Sequence, residues 1–237
     1  MSASFRPSRW PLFAKLILGS ALQPALFTLL LFAPAGTFAW RRAWVLIAVV
    51  ASATVGSVLA LARGDQGLLE ERLKPPIQRG QPAADKVVVV LLLAEFVAAI
   101  AFVPLDVFEL RLLPPPAPWL SAAGLALFLA GWALVTWTMR VNAFAAPVVK
   151  HQQERHQHVI DTGPYAVGRQ PMYVGAVLLL IGLPLWLESA AGALLAVLPI
   201  LTLAVRIAIE ERFLRRVLPG YEAYTTRVRY RLVPGIW

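Results

Sequence analysis

The chain has no cysteine. That excludes disulfides, thiolate metal sites and a cysteine nucleophile. Charge is scarce as well: 15% of the 237 residues are charged, 59% are hydrophobic, and the mean hydropathy is +0.67. Soluble globular chains carry roughly 25% charged residues. So little charge beside so much apolar surface belongs to an integral membrane protein, and one domain suffices at this length. Acidic residues are the scarcer sign, 13 against 22 Lys and Arg, giving a net charge of +9. In so apolar a chain the excess positive charge flanks spans and faces the cytoplasmic leaflet, so no nucleic-acid partner is expected. No internal repeat and no disordered tail are evident.

The apolar runs fall at 10–32, 43–62, 87–105, 119–139, 172–187 and 190–209. A span needs about 20 residues, so the expected fold is all-α and polytopic, with about six transmembrane helices. Five is the alternative, because the run at 172–187 is short and Leu187-Glu188-Ser189 connects it tightly to the next. The first run reads as an uncleaved span, since Lys15 interrupts it and no strong cleavage site follows. With the N-terminus inside, only Arg41, Arg42 and Arg111 of the 22 Lys and Arg fall outside, and Lys15 lies within a span. That bias puts both termini and every polar motif on the cytoplasmic face, and the composition suggests a bacterial inner membrane. The chain then divides into N-terminal transmembrane helices (1–140) and a C-terminal region with a helical hairpin and a cytoplasmic tail (141–237). The stretch 63–86 starts as a short amphipathic helix ended by Pro75-Pro76 and reads as an interfacial connector.

The polar residues concentrate after position 140. His151, His156 and His158 are the only histidines, spaced by five and two. Helical zinc sites use an i, i+4 pair, so these read as solvated loop residues and no metal is expected. Arg206 and Glu210 are also i, i+4 and share a helix face. They are either a snorkelling ion pair at a helix exit or part of a polar site at the membrane boundary. The stretch "GPYAVGRQPMYVG" (163–175) gathers Tyr165, Arg169, Gln170 and Tyr173 at a helix start. Pro171 suits the first turn, the free N–H groups there can bind a polar ligand, and the Tyr rings offer flat faces to a base or cation.

Gly-Pro-Tyr, then Arg-x-Pro-x-Tyr-x-Gly, a hairpin, Arg-x-x-x-Glu-Glu and a Tyr-rich basic tail together resemble the isoprenylcysteine carboxyl methyltransferase family. These are integral membrane methyltransferases broadly related to phospholipid N-methyltransferases. The similarity covers about 142–235, with "NAFAAPVVKHQQER" (142–155) as a matching lead-in. The resemblance implies S-adenosylmethionine bound at the cytoplasmic face without a Rossmann fold, and a lipophilic small-molecule or lipidated substrate arriving from the bilayer. Its cofactor positions map onto Gln152, Gln157, His158, Val159, Ile160, Tyr165, Arg169, Gln170, Pro171, Met172, Tyr173, Glu210 and Glu211. Arg206 maps onto the substrate carboxylate, and Arg206 with Glu210 forms the implied catalytic pair. Gln170 stands where the family has His in Arg-His-Pro, and Gln157 where it has another. Glutamine keeps a donor and an acceptor, so hydrogen bonding to the cofactor survives and proton shuttling does not.

Transfer of a methyl group from a sulfonium needs neither metal nor covalent nucleophile, only alignment and exclusion of water. The alternatives are a phospholipid N-methyltransferase, an NADPH-dependent sterol-type reductase, and a non-enzymatic membrane protein that keeps the scaffold. An amine acceptor has no need of an Arg clamp. The reductases usually carry Asn where this chain has Met172. Oligomeric state is not legible.

Overall fold

Every long apolar run becomes a helix, because a backbone in a bilayer has no water to bond and must satisfy its own N–H and C=O groups. The computed structural model describes residues 10–62, 66–233, 235 and 237. Arg6, Arg9 and Arg63, which count toward the charge bias, lie outside the described residues. In chain order the helices are α1 (Trp10–Ala35), α2 (Arg41–Ala62), α3 (Gln66–Arg72), α4 (Ala83–Leu105), α5 (Pro118–Val141), α6 (Pro171–Trp186), α7 (Ala190–Leu195), α8 (Val197–Val217) and α9 (Tyr221–Arg227). A π-turn over Asp106–Leu110 extends α4, and no strand occurs among the described residues. The all-α expectation holds.

Among the described residues five helices are long and apolar enough to cross a membrane: α1 from Leu18, α2, α4 with its π-turn, α5, and α7 with α8. The fifth apolar run forms α6, only 16 residues long. Its brevity is offset by its packing. α5 and α6 meet through Gly124 and Gly131 on one side and Gly175 and Gly182 on the other. A Cβ on Gly131 would lie 2.6 Å from the Gly175 carbonyl oxygen, and one on Gly182 would lie 2.6 Å from that of Gly124. Small residues let membrane helices approach backbone to backbone, where lipid gives no hydrophobic drive to associate.

At the end of the bundle away from the polar motifs, short staples close the connections. Arg42 donates to the Trp186 carbonyl at 2.9 Å and pairs with Glu188 at 2.9 Å. Buried Asp106 accepts from Ser189 Oγ at 2.6 Å and from the Leu112 amide at 3.0 Å. Between the ends a core of Phe27, Leu31, Leu46, Val50, Ile100 and Phe128 joins α1, α2, α4 and α5. At the other end, α3 buries Leu68 and Leu69 against Leu61, Met139 and Ala145. The expected amphipathic helix is there, but it is packed into the bundle.

Candidate functional site

The connections after α2 and α5, the start of α6 and the end of α8 converge at one end of the bundle. They enclose a cavity of about 470 Å³. Pro171 opens α6, as its fixed φ and missing N–H allow. The residue before it, Gln170, caps the helix and is 6% exposed. Its carboxamide faces the cavity with no hydrogen-bond partner among the described residues. Tyr173, one turn into α6, donates its hydroxyl to Glu210 Oε2 at 2.6 Å. The Arg206 guanidinium lies 5.9 Å from the centre of the Tyr173 ring.

Arg206 is already held. Its Nε donates to Asp85 Oδ1 at 3.1 Å and its Nη2 to the Pro147 carbonyl at 2.5 Å. Asp85 is fully buried at the start of α4, where Gln81 and the Val149 amide donate to its other oxygen. A buried carboxylate needs such full satisfaction, and it ties α4 to α8 across the cavity floor.

The Tyr165 hydroxyl accepts from Asn142 Nδ2 at 2.8 Å, and its carbonyl accepts from the Tyr224 hydroxyl at 2.8 Å. Burial pushes the phenols of Tyr165, Tyr221 and Tyr224 well above the ordinary tyrosine range, so all three remain neutral donors. The cavity wall therefore offers neutral rings, one carboxylate, amides and cations.

The C-terminal tail is stitched to the same turn. The amides of Arg169 and Gln170 donate to the carbonyls of Tyr230 and Arg231. The Arg169 side chain donates to Glu211 at 2.6 Å and to the Val228 and Arg229 carbonyls at 2.7 and 2.8 Å. The Gln170 amide, at the start of the helix whose free N–H groups were expected to await a ligand, is thus taken by the protein. Arg169 touches the cavity but its guanidinium is a structural rivet.

Of the residues singled out from sequence, Gln157, His158, Val159, Ile160, Tyr165, Arg169, Gln170, Pro171, Met172, Tyr173, Arg206 and Glu210 all line this one cavity. Gln152 and Glu211 do not. Gln152 is buried in the loop, donating to the Phe144 carbonyl and accepting from Arg155. Glu211 turns away to pair with Arg169 and Arg231. His158 packs its ring edge-on to Phe144, and both it and His156 are exposed. No group of three or more His, Cys, Asp or Glu among the described residues is placed to hold a metal ion. The site also recruits Arg72, Asp85, Asn142, Tyr221 and Tyr224, which were not singled out. Neither Asp85 nor Arg72 had a legible signal, since both lie within the 63–86 connector that had been read as interfacial.

These features define a polytopic helical membrane protein with a polar-tipped, largely apolar cavity at one end. Within it, residues 119–219 match the family model described as phospholipid methyltransferase, a family of integral membrane methyltransferases related to the isoprenylcysteine carboxyl methyltransferases. The matched segment spans less than half of the chain and runs from the start of α5 to just beyond α8, so it covers most of the cavity wall. Comparison with curated proteins returns no match.

Proposed function

We propose that this protein transfers a methyl group from S-adenosylmethionine to a lipophilic acceptor at the membrane boundary. The observation that carries the reading is the convergence of the Gln157–Ile160 stretch, Tyr165, Gln170–Tyr173, Arg206 and Glu210 on one cavity. Its volume lies in the range of small-molecule sites, roughly 300–1,000 Å³. When bound, the donor supplies a methyl on a sulfonium: the S–CH₃ bond breaks, a bond to the acceptor oxygen or nitrogen forms, and sulfur leaves as a neutral thioether.

The residues present suit such a ligand. Ring faces of Tyr165 and Tyr173 attract a sulfonium without trapping it as a close carboxylate would. Glu210, held by Tyr173, accepts from a ribose hydroxyl or an amino group. The free Gln170 amide offers a donor and an acceptor to the adenosine or methionine portion. Gln152 and Glu211 act from behind, holding the loop and the tail. Arg206 stands on the acceptor side, fixed by Asp85 and Pro147.

A carboxylate acceptor is favoured by the Arg72 guanidinium in the wall, which has no carboxylate partner among the described residues. A phospholipid amine is the second reading, favoured by the family match. Thermal-shift titration with S-adenosylmethionine, S-adenosylhomocysteine and NADPH tests the donor. Stabilisation by the first two is expected, and no shift with either sinks the proposal. Labelled donor with a membrane lipid extract then tests the acceptor: a base-labile product is an ester, a base-stable one an N-methyl amine.

A further inference from the structure

Four Lys and Arg side chains line the main cavity: Arg72, Lys150, Arg169 and Arg206. Three have carboxylate partners. Lys150 pairs with Glu71, Arg169 with Glu211 at 2.6 Å, and Arg206 with Asp85 at 3.1 Å. Arg72 has none among the described residues. Its Nη1 donates to the Ala145 carbonyl at 2.8 Å and stands 4.0 Å from the Met172 sulfur. Burial, and then the nearby Arg206 charge, both work against its ionised form. A guanidinium does not respond by losing its proton. Among the described residues, the fold therefore holds a partly desolvated cation that no carboxylate compensates.

Arg72 has a second neighbourhood. A further cavity of about 350 Å³ lies between α1, α2, α3 and α5, and Arg72, Val135 and Leu179 line both. Its walls are apolar at Val58, Leu61 and Met139. A few polar groups cross it: Trp132 Nε1 donates to Ser57 Oγ at 2.9 Å, and Ser57 and Thr136 hydroxyls lie 2.8 Å apart. Because these groups bond one another, they present little unmet polarity to a hydrocarbon chain.

We propose that Arg72 anchors the anionic group of a lipid whose chain lies in this second cavity and whose reacting atom faces the first. The shared chemistry is a carboxylate or phosphate on a hydrocarbon tail. The resemblance pointed to Arg206 for this task, but Arg206 is already neutralised by Asp85, and among the described residues Arg72 is the cavity cation without a carboxylate partner. The assignment of the first cavity rests on the methyl-transfer reading. The anchor does not.

The test uses the full chain in dodecyl maltoside micelles, which contain no phosphate or carboxylate. Three probes carry dibrominated chains: a free fatty acid, a phosphatidic acid and an uncharged diacylglycerol. Bromine quenches nearby indole fluorescence. The chain has 8 Trp, so the Trp132 contribution is taken as wild type minus Trp132→Phe. At least one anionic probe is expected to quench Trp132 at a concentration about tenfold or more below that of diacylglycerol, the range of a charge-assisted hydrogen bond. Preference for the fatty acid assigns a carboxylate, preference for phosphatidic acid assigns a phosphate, and parity supports the shared chemistry. Arg72→Gln is expected to erase the preference, and Arg72→Lys to retain part of it, with a wild-type-like thermal unfolding transition as the check on folding. Equal quenching by all three probes in the wild type overturns the anchor even if Arg72→Gln fails to fold. So does a folded Arg72→Gln that keeps the preference. No methyl donor enters the quenching measurement, so failure of S-adenosylhomocysteine to bind counts against the methyl-transfer reading alone.

Discussion

The α5–α6 seam is where the site is most open to a single-atom perturbation. Gly175→Ala places a Cβ 2.6 Å from Val135 Cγ2 and 2.8 Å from the Gly131 carbonyl oxygen. Ordinary contact begins at 3.4 Å, so the two helices have to part locally by about 0.6–0.8 Å. A gap of that size removes roughly a quarter to a half of each dispersion contact along the seam. Overpacking of this kind costs about 1–3 kcal/mol. Gly175 lies within one turn of Tyr173 and Pro171, and α5 ends at the Asn142 that donates to Tyr165. Parting the helices there also misplaces the cavity wall, and a 1 Å misplacement costs about 100-fold in rate. Gly182→Ala meets the Gly124 oxygen and Phe128 nitrogen, each at 2.6 Å, toward the other end of the seam. Both variants should lose comparable stability in reversible denaturation from mixed micelles. Gly175→Ala should lose much more affinity for S-adenosylhomocysteine by calorimetry. A Gly175→Ala protein as stable as wild type would refute the close-packed seam, and equal ligand affinities in the two variants would refute its coupling to the site.

Three further outcomes follow from the geometry. Burial raises the Glu71 carboxyl but the ion pairs with Lys150 and Lys74 outweigh it, leaving a folded-state pKa below the ordinary range. Its contribution is then present above the unfolded value of about 4.3 and is lost as pH falls through the folded value, so Glu71→Gln should flatten the acid limb of a stability–pH profile. Arg169→Gln removes the bridge between Glu211 and the Val228 and Arg229 carbonyls. It should cost about 3 kcal/mol, the low end for a broken buried pair since Arg231 still neutralises Glu211, and limited proteolysis should then cut the tail after α9. Gln170→Ala should weaken S-adenosylhomocysteine binding about tenfold and Gln170→His should restore it, because either side chain supplies a donor and an acceptor.

The helices were legible because apolar runs of span length have one stable backbone solution in lipid, and the site motif was legible because Gly, Pro, Tyr, Arg and Gln crowd into 163–175. What periodicity does not carry is the pairing of distant charges. Arg206 and Glu210 share a face, as their spacing required, yet they do not pair. Glu210 is taken by Tyr173 on α6 and Arg206 by Asp85 on α4, at separations of 37 and 121 residues. Arg72 was invisible for the same reason. A connector looks interfacial from its own sequence, and only the packing of Leu68 and Leu69 under Met139 turns Arg72, the last residue of α3, into the cavity. Span number was ambiguous because α6 is too short by hydropathy alone and is held by glycine contacts that hydropathy does not measure.

If Arg72 anchors the acceptor, the chemistry of the anion decides what happens after transfer. A carboxylate is consumed on methylation: the ester is neutral, the charge-assisted bond to Arg72 is lost, and product affinity should fall about tenfold or more. One methyl is then added and the product leaves. A phosphate survives methylation of an amine elsewhere on the same lipid. The product keeps its hold on Arg72, stays in register, and can accept a further methyl without leaving the cavity. Displacement of the brominated probes separates these cases without knowledge of the physiological acceptor. A fatty acid methyl ester should compete poorly with the brominated fatty acid, whereas an N-methylated aminophospholipid should compete with brominated phosphatidic acid as well as its unmethylated parent does. Where the fatty acid is the preferred probe, a methyl ester that competes as strongly as the free acid would mean that binding comes from the hydrocarbon chain alone, and the argument from the Arg72 charge would fail.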